Sequence, residues 1–223
     1  MKTIVYTIVF LFTFVSLTYA LPHAHSAYLL KNIKHEGSGF LSGLINVILS
    51  ADARALTIVF DDYKIEISSE TRPVISKFCH LTIPIHIPFG WQFSVIDVIH
   101  IGGATLDQGV KAKFTEHYNF IGQKPLKVTR MIHGPEDIEY TFVDKFNIKS
   151  FSWSPCGRGK EVKLHLRSRI QLNNIRNRKG YGLVDRESTD LDINQTYRFS
   201  WRQCNNVSEN GPIFKRKKRK TDQ

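Results

Sequence analysis

The chain has 223 residues, 42% of them hydrophobic and 12% aromatic, which excludes a disordered or collagenous polypeptide and suffices for one domain with its own core. Its 31 basic residues against 20 acidic ones give a formal charge of +11, which favours anionic partners: glycans, nucleic acid or lipid headgroups.

In chain order, Lys2 precedes an apolar run from Ile4 to Leu17 that closes on Thr18-Tyr19-Ala20. This pattern predicts a secretory signal peptide over residues 1–20, because the run is shorter than the roughly 20 residues a membrane-spanning helix needs. No second run of spanning length follows. The expected product is a secreted, extracellular protein made where thiols pair.

Residues 21–36 read as a loose mature N-terminus. Cleavage after Ala20 would put His23 third, the position of an amino-terminal copper chelate, but Pro22 lacks the amide nitrogen such a site needs. Cleavage after Ala24 would make His25 the first residue and half of a copper site for oxidative attack on polysaccharide.

From there the chain alternates with a period of two. Strands are expected over Ala55 to Phe60, Tyr63 to Ile67 and the run in which Cys79, Leu81, Ile83, Ile85 and Ile87 share a face. More are expected from Trp91 to Val95, Val110 to Thr115, Leu126 to Ile132, Ile138 to Val143, Ile148 to Trp153, Glu161 to Leu172 and Thr196 to Cys204. Gly, Pro, Asn or Asp marks nearly every boundary. Roughly ten such strands predict an all-β fold, an antiparallel β-sandwich, with a closed β-barrel as the alternative. One domain over 37–204 is expected, followed by a basic disordered tail over 205–223.

Three cysteines leave one unpaired. Cys156 and Cys204 lie where strands meet loops, whereas Cys79 sits on an apolar face, so the expected bridge is Cys156 to Cys204 and the expected buried, inert thiol is Cys79. By chain entropy such a bridge contributes about 4 kcal/mol.

The strand Glu161 to Leu172 alternates Val162, Leu164, Leu166, Ile170 and Leu172 with Lys163, His165, Arg167, Arg169 and Gln171. One face is thus a basic ladder, and it continues into Arg176, Arg178 and Lys179 at a loop tip. Guanidinium forks spaced two residues apart suit successive sulfate, carboxylate or phosphate groups. A solvated face, or an edge strand guarded by charge, is the competing reading. A second basic block, Lys215, Arg216, Lys217, Lys218, Arg219 and Lys220, would attach electrostatically to a polyanion unless processing proteases remove it. Secretion makes anionic glycans or cell-wall polymer, rather than nucleic acid, the expected partners.

Chemistry is sparse. None of the nine histidines forms a His-Glu-x-x-His pair or joins cysteines at zinc spacing, and no Gly-x-Ser-x-Gly elbow occurs, so no metal or cofactor is expected. Asp61-Asp62, Glu136-Asp137, Asp190 and Asp192 sit at turns or strand ends, where acids usually bond nearby backbone. Trp91, Trp153 and Trp201 lie in strand patterns and read as core before sugar platform. Asn194 and Asn206 each begin a glycosylation sequon. The leading function is a non-catalytic binder of polyanions or glycans. A polysaccharide-acting enzyme, by carboxylates or amino-terminal copper, and a structural surface protein are the alternatives.

An ordered set of motifs resembles one secreted family. These are Ala55-Leu56-Thr57-Ile58-Val59-Phe60-Asp61-Asp62-Tyr63, Cys79-His80-Leu81, Pro88-Phe89-Gly90-Trp91-Gln92-Phe93, Gly103-Ala104-Thr105-Leu106-Asp107-Gln108-Gly109, Trp153-Ser154-Pro155-Cys156-Gly157 and Trp201-Arg202-Gln203-Cys204. From about Gly37 to Cys204 the chain is similar to the family catalogued as domain of unknown function 4360. The resemblance implies an all-β domain with four cysteines and no assigned reaction. It also implies that Phe40 stands where the family's first cysteine would, leaving Cys79 without its partner.

Overall fold

The computed structural model describes residues 26–39, 45–60, 63–159, 161–185 and 193–204. Thirteen strands occur among them: β1 (Tyr28–Leu29), β2 (Lys34–Glu36), β3 (Ile45–Leu49), β4 (Ala55–Phe60), β5 (Ile65–Ile67), β6 (Val74–His86), β7 (Trp91–Leu106), β8 (Lys111–Phe120), β9 (Leu126–His133), β10 (Glu136–Lys145), β11 (Glu161–Asn173), β12 (Gly182–Asp185) and β13 (Ile193–Gln203). They form two antiparallel sheets, so the architecture is the sandwich and not the closed barrel. The first sheet runs β1-β6-β11-β8-β9, with β2 also on β6. The second runs β3-β4-β13-β7-β12-β5, with β10 on the other side of β7.

Alternation explains why these segments pair as they do. In β11 the even residues from Val162 to Leu172 are buried, and in β6 Cys79, Leu81, Ile83 and Ile85 are buried opposite them. Each sheet therefore has one apolar face, and the two faces cover one another in a single core. Because β11 lies between β6 and β8, its other face is the middle of the first sheet's outer surface.

β7 follows a different rule. Its register with β13 shifts between Arg198 and Phe199, a bulge that changes which residues face inward from Phe93 and Val95 to Val98, Ala104 and Leu106. A strict period of two breaks at that point, which is why only the first third of this 16-residue strand is legible from its sequence. Gly102 lies on the inward side of the second part, and any Cβ there would meet the Tyr140 hydroxyl at 2.6 Å.

Three expectations need correction. Ile148 to Trp153 is not a strand: Ile148–Ser150 is one 3-10 turn, followed by an irregular segment. The chain from Phe146 to Gly157 flanks the first half of β7 through widely spaced bonds, Phe146 N to Ile96 O at 2.9 Å, Ser154 N to Phe93 O at 2.8 Å and Gly157 N to Trp91 O at 2.7 Å. Phe93 N donates to Ser154 Oγ at 3.1 Å rather than to a backbone carbonyl. The stretch read as a loose N-terminus contributes β1 and β2, both paired to β6. The expected strand from Tyr63 begins only at Ile65, and Tyr63 itself is core. Residues 1–25, Phe40, the Asp61-Asp62 and Asp190/Asp192 pairs, Asn206 and the basic tail lie outside the described residues.

Cys156 and Cys204 form the expected disulfide, 48 residues apart, with Cα atoms at 6.0 Å. It ties the irregular segment to the end of β13, where Cys204 N also donates to Gly90 O at 2.8 Å. Cys79 is free and buried.

Candidate anion-binding face

Pairing converts the basic ladder of β11 into a two-dimensional array. Opposite Arg167 stand His80 on β6 and His117 on β8, and opposite His117 stands Lys127 on β9. The next row holds Phe78, Arg169, Thr115 and Thr129, and the one after it Ser76, Gln171, Lys113 and Met131. Directly opposed residues lie about 5 Å apart and successive outward residues on a strand about 7 Å apart. Lys113, Lys127, Arg167 and Arg169 thus stand on three neighbouring strands with no carboxylate among them.

Local contacts fix the array. The Arg169 guanidinium stands over the Phe78 ring at 5.9 Å, and Phe78 lies 5.2 Å from the His80 ring. His80 Nδ1 pairs with Glu36 Oε1 of β2 at 3.2 Å. Thr82 Oγ1 and His165 Nδ1 are 3.1 Å apart. Lys163 is partly neutralised by Glu161 at 3.0 Å. At that end of the face Tyr28, 52% exposed, stacks on His86 with ring centroids 4.6 Å apart.

Burial and then positive neighbours hold two of these histidines below the usual imidazole range. For His117 the neighbours are Lys127 and Arg167, and for His165 they are Arg167 and Lys163. Both imidazoles are therefore neutral at pH 7.

Beneath this face, between the sheets, lies a polar cluster that sequence reasoning missed. Ser168 Oγ donates to Glu116 Oε1 at 2.6 Å, Gln195 Nε2 reaches the same oxygen at 3.0 Å, and Tyr63 Oη donates to Ser168 Oγ at 3.1 Å. Tyr197 Oη completes it by donating to Gln195 Oε1 at 2.9 Å. Burial pushes the Glu116 carboxyl up to about 8, so it is largely protonated at neutral pH. Nearby, burial pushes His100 down to about 4 despite Asp144 at 3.6 Å, and Arg130 Nε donates to Asp144 Oδ1 at 2.7 Å. Burial likewise pushes the Cys79 thiol well up, as expected of an inert cysteine.

The expected binding residues divide. Lys163, His165, Arg167 and Arg169 share the flat face. Arg176, Arg178 and Lys179 belong to a loop beyond the end of β11, six residues or about 20 Å past Arg167 by strand rise. Arg178 works there structurally: it donates to Asn174 Oδ1 and, at 3.0 Å, to Thr71 O. Lys113, His117, Lys127, Phe78 and His80 were not anticipated. The Lys111/Lys113 alternation was visible, but only pairing brings it beside Arg169.

Other candidates find modest settings. Trp201 packs on Phe93 at 4.9 Å and donates to Ala53 O at 2.7 Å, as a core residue should. Trp153 is covered by the Arg202 guanidinium at 3.8 Å. Asp137 accepts from Thr105 Oγ1 at 2.9 Å. Asn194 is half-buried in β13 between Val59 and Ile101. Among the described residues no group of three or more His, Cys, Asp or Glu is placed to hold a metal ion, and no helix is long and apolar enough to cross a membrane.

Comparison with known proteins adds a family. An uncharacterized secreted protein of Arthroderma benhamiae is 32% identical over 180 residues, covering 78% of this chain and 71% of the relative. Secretion, expected from the first residues, agrees with it, and the protein is secreted. Among solved structures, a carbohydrate-binding module, TmCBM61 bound to β-1,4-galactotriose, overlaps 75% of this chain and 89% of its own at 10% identity and a TM-score of 0.28. A family 11 module from Clostridium thermocellum overlaps 77% and 86% at 11% identity and a TM-score of 0.22. Overlaps this weak carry no ligand over to this chain. The model of the family described as Domain of unknown function (DUF4360) matches residues 27–204, and the chain belongs to that family.

Proposed function

We propose that this secreted protein works by binding extracellular polyanions, anionic glycans or cell-wall polymer, on the outer face of its first sheet. The observation that carries the reading is the convergence of Arg167, Arg169, Lys113 and Lys127 from three paired strands without a carboxylate among them. Uncompensated cations repel one another, and an anionic polymer offsets that cost while releasing its own counterions. The exposed Tyr28 ring stacked on His86, and the half-buried Phe78 ring beneath Arg169, lie on the same face as the cations and offer apolar contact to sugar faces. The tail from Lys215 to Lys220 would add a second, sequence-tolerant contact.

Salt elution from immobilised heparin tests the reading. With all six tail cations replaced by Gln, the protein is expected to be retained, and Arg167→Glu with Arg169→Glu is expected to elute it at much lower salt. Equal elution of the two would refute the face.

A further inference from the structure

Thr115 occupies a singular place on that face. It is a short side chain flanked along β8 by Lys113 and His117, opposed on β11 by Arg169 and on β9 by another short residue, Thr129. Arg167 and Lys127 close the adjacent row on either side of His117. Long cations around a short hydroxyl leave a shallow depression of about 430 Å3, and among the described residues that line it there is no Asp or Glu.

We infer that this depression is a socket for one tetrahedral oxyanion, a sulfate or phosphate ester on an extracellular polymer. The inference rests on the polyanion reading above and gives that surface a preferred ligand class.

The donor arrangement supplies the preference. A carboxylate offers two coplanar oxygens, and one guanidinium fork satisfies both. Here cations carried by three different strands, β11, β8 and β9, line one depression together with Thr115. Three free oxygens on a tetrahedral centre can use donors from three directions, where a planar group would leave some unpaired. Donors left unpaired on desolvation are what make such a site discriminate.

The surrounding charges do not compensate the socket. On β6, His80 is engaged by Glu36 of β2. On β8, His117 is kept neutral by burial, Lys127 and Arg167, and Glu116 on the opposite side of that strand stays protonated up to about pH 8. On β11, His165 is neutral beside Arg167 and Lys163. An entering oxyanion therefore meets the four cations Lys113, Lys127, Arg167 and Arg169, and it favours the imidazolium form of His117, which then carries a proton on both ring nitrogens.

The test uses three polymers on one backbone: dextran sulfate, dextran phosphate and carboxymethyl dextran, matched in charge density. The full chain carries Gln at the six tail cations, so that the tail does not mask the face. Binding at pH 7.0 and fixed ionic strength is expected to be at least tenfold tighter for dextran sulfate or dextran phosphate than for carboxymethyl dextran, and the tighter of the two names the ester. Thr115→Glu, at a half-exposed outward position, is expected to erase the preference with an unchanged unfolding midpoint. Thr115→Val is a milder check should the first variant fold poorly, and it is expected to reduce the preference several-fold. Lys179→Glu should leave it intact. Equal affinity for all three polymers would overturn the socket while leaving polyanion binding in place. Failure to bind any of them would overturn both.

Discussion

Ser168 and Glu116 face each other across β11 and β8 and share a 2.6 Å hydrogen bond inside the sandwich, while their neighbours Arg167 and His117 face each other on the outside. One pair of strands thus carries a protonated carboxyl on its dry side and a cationic row on its wet side. Because burial keeps Glu116 neutral, the carboxyl below does not cancel the charge above.

This arrangement predicts an alkaline loss of stability. Glu116 holds its proton to about pH 8 when folded, against 4.5 ordinarily, so between those values the folded state binds more protons and stability falls as pH rises. His100, lowered to about 4 from 6.5, does the opposite between about 4 and 6.5. The two oppose one another over most of the acid range, leaving a net decline from about pH 6.5 to 8, worth on the order of 2 kcal/mol. Denaturant titrations of the native protein and Glu116→Gln across this range should show the decline in the first and not in the second.

Binding should have its own pH dependence. His117 and His165 are held below the usual range in the free protein, and a bound anion raises them. The complex then carries more protons than its parts, so affinity for heparin is expected to rise as pH falls from 7.5 to 5.5, by about three- to tenfold. Isothermal titration in buffers of different ionisation enthalpy would register the proton uptake, and His117→Gln should reduce it.

Much of this was legible in the sequence, for physical reasons that differ by element. β11 alternates strictly, and β6 alternates from Cys79 to Ile83, because each has one wet and one dry face, and that exposed both the ladder and the buried Cys79. β7 was obscured because its bulge reverses the inward side between Val95 and Val98. The basic face was half visible: Arg167 and Arg169 lie two apart in the chain, but Lys113 and Lys127 join them only through strand pairing, which residue spacing does not encode. Arg178 looked like part of the ladder and instead braces a loop. The Glu116 cluster was hidden altogether, since its members come from β8, β11, β13 and from Tyr63, two residues ahead of β5.

The loop assignment has a direct consequence. Arg178→Ala is expected to cost about 1 kcal/mol through the lost bonds to Asn174 and Thr71, with heparin affinity within about twofold of the parent. Arg169→Ala should show the reverse pattern, weaker binding with little change in stability. Paired unfolding and binding measurements on both variants check the division.

The two kinds of cysteine are separable by chemistry. Cys79 is 1% exposed and should resist a thiol reagent under native conditions, reacting only once the protein unfolds. Replacing Cys156 and Cys204 together by Ser should cost about 4 kcal/mol by the chain-entropy argument. Chemical denaturation with and without reductant provides the measurement.

The most direct test of the central claim is the salt dependence of heparin binding by the tail-neutralised protein, with and without Arg167→Glu and Arg169→Glu. Polyanion binding by the first sheet's outer face predicts measurable affinity that weakens steadily with salt in the parent and largely disappears in the double variant, with both proteins equally folded. Equal affinity in parent and variant, or none in either, would contradict it.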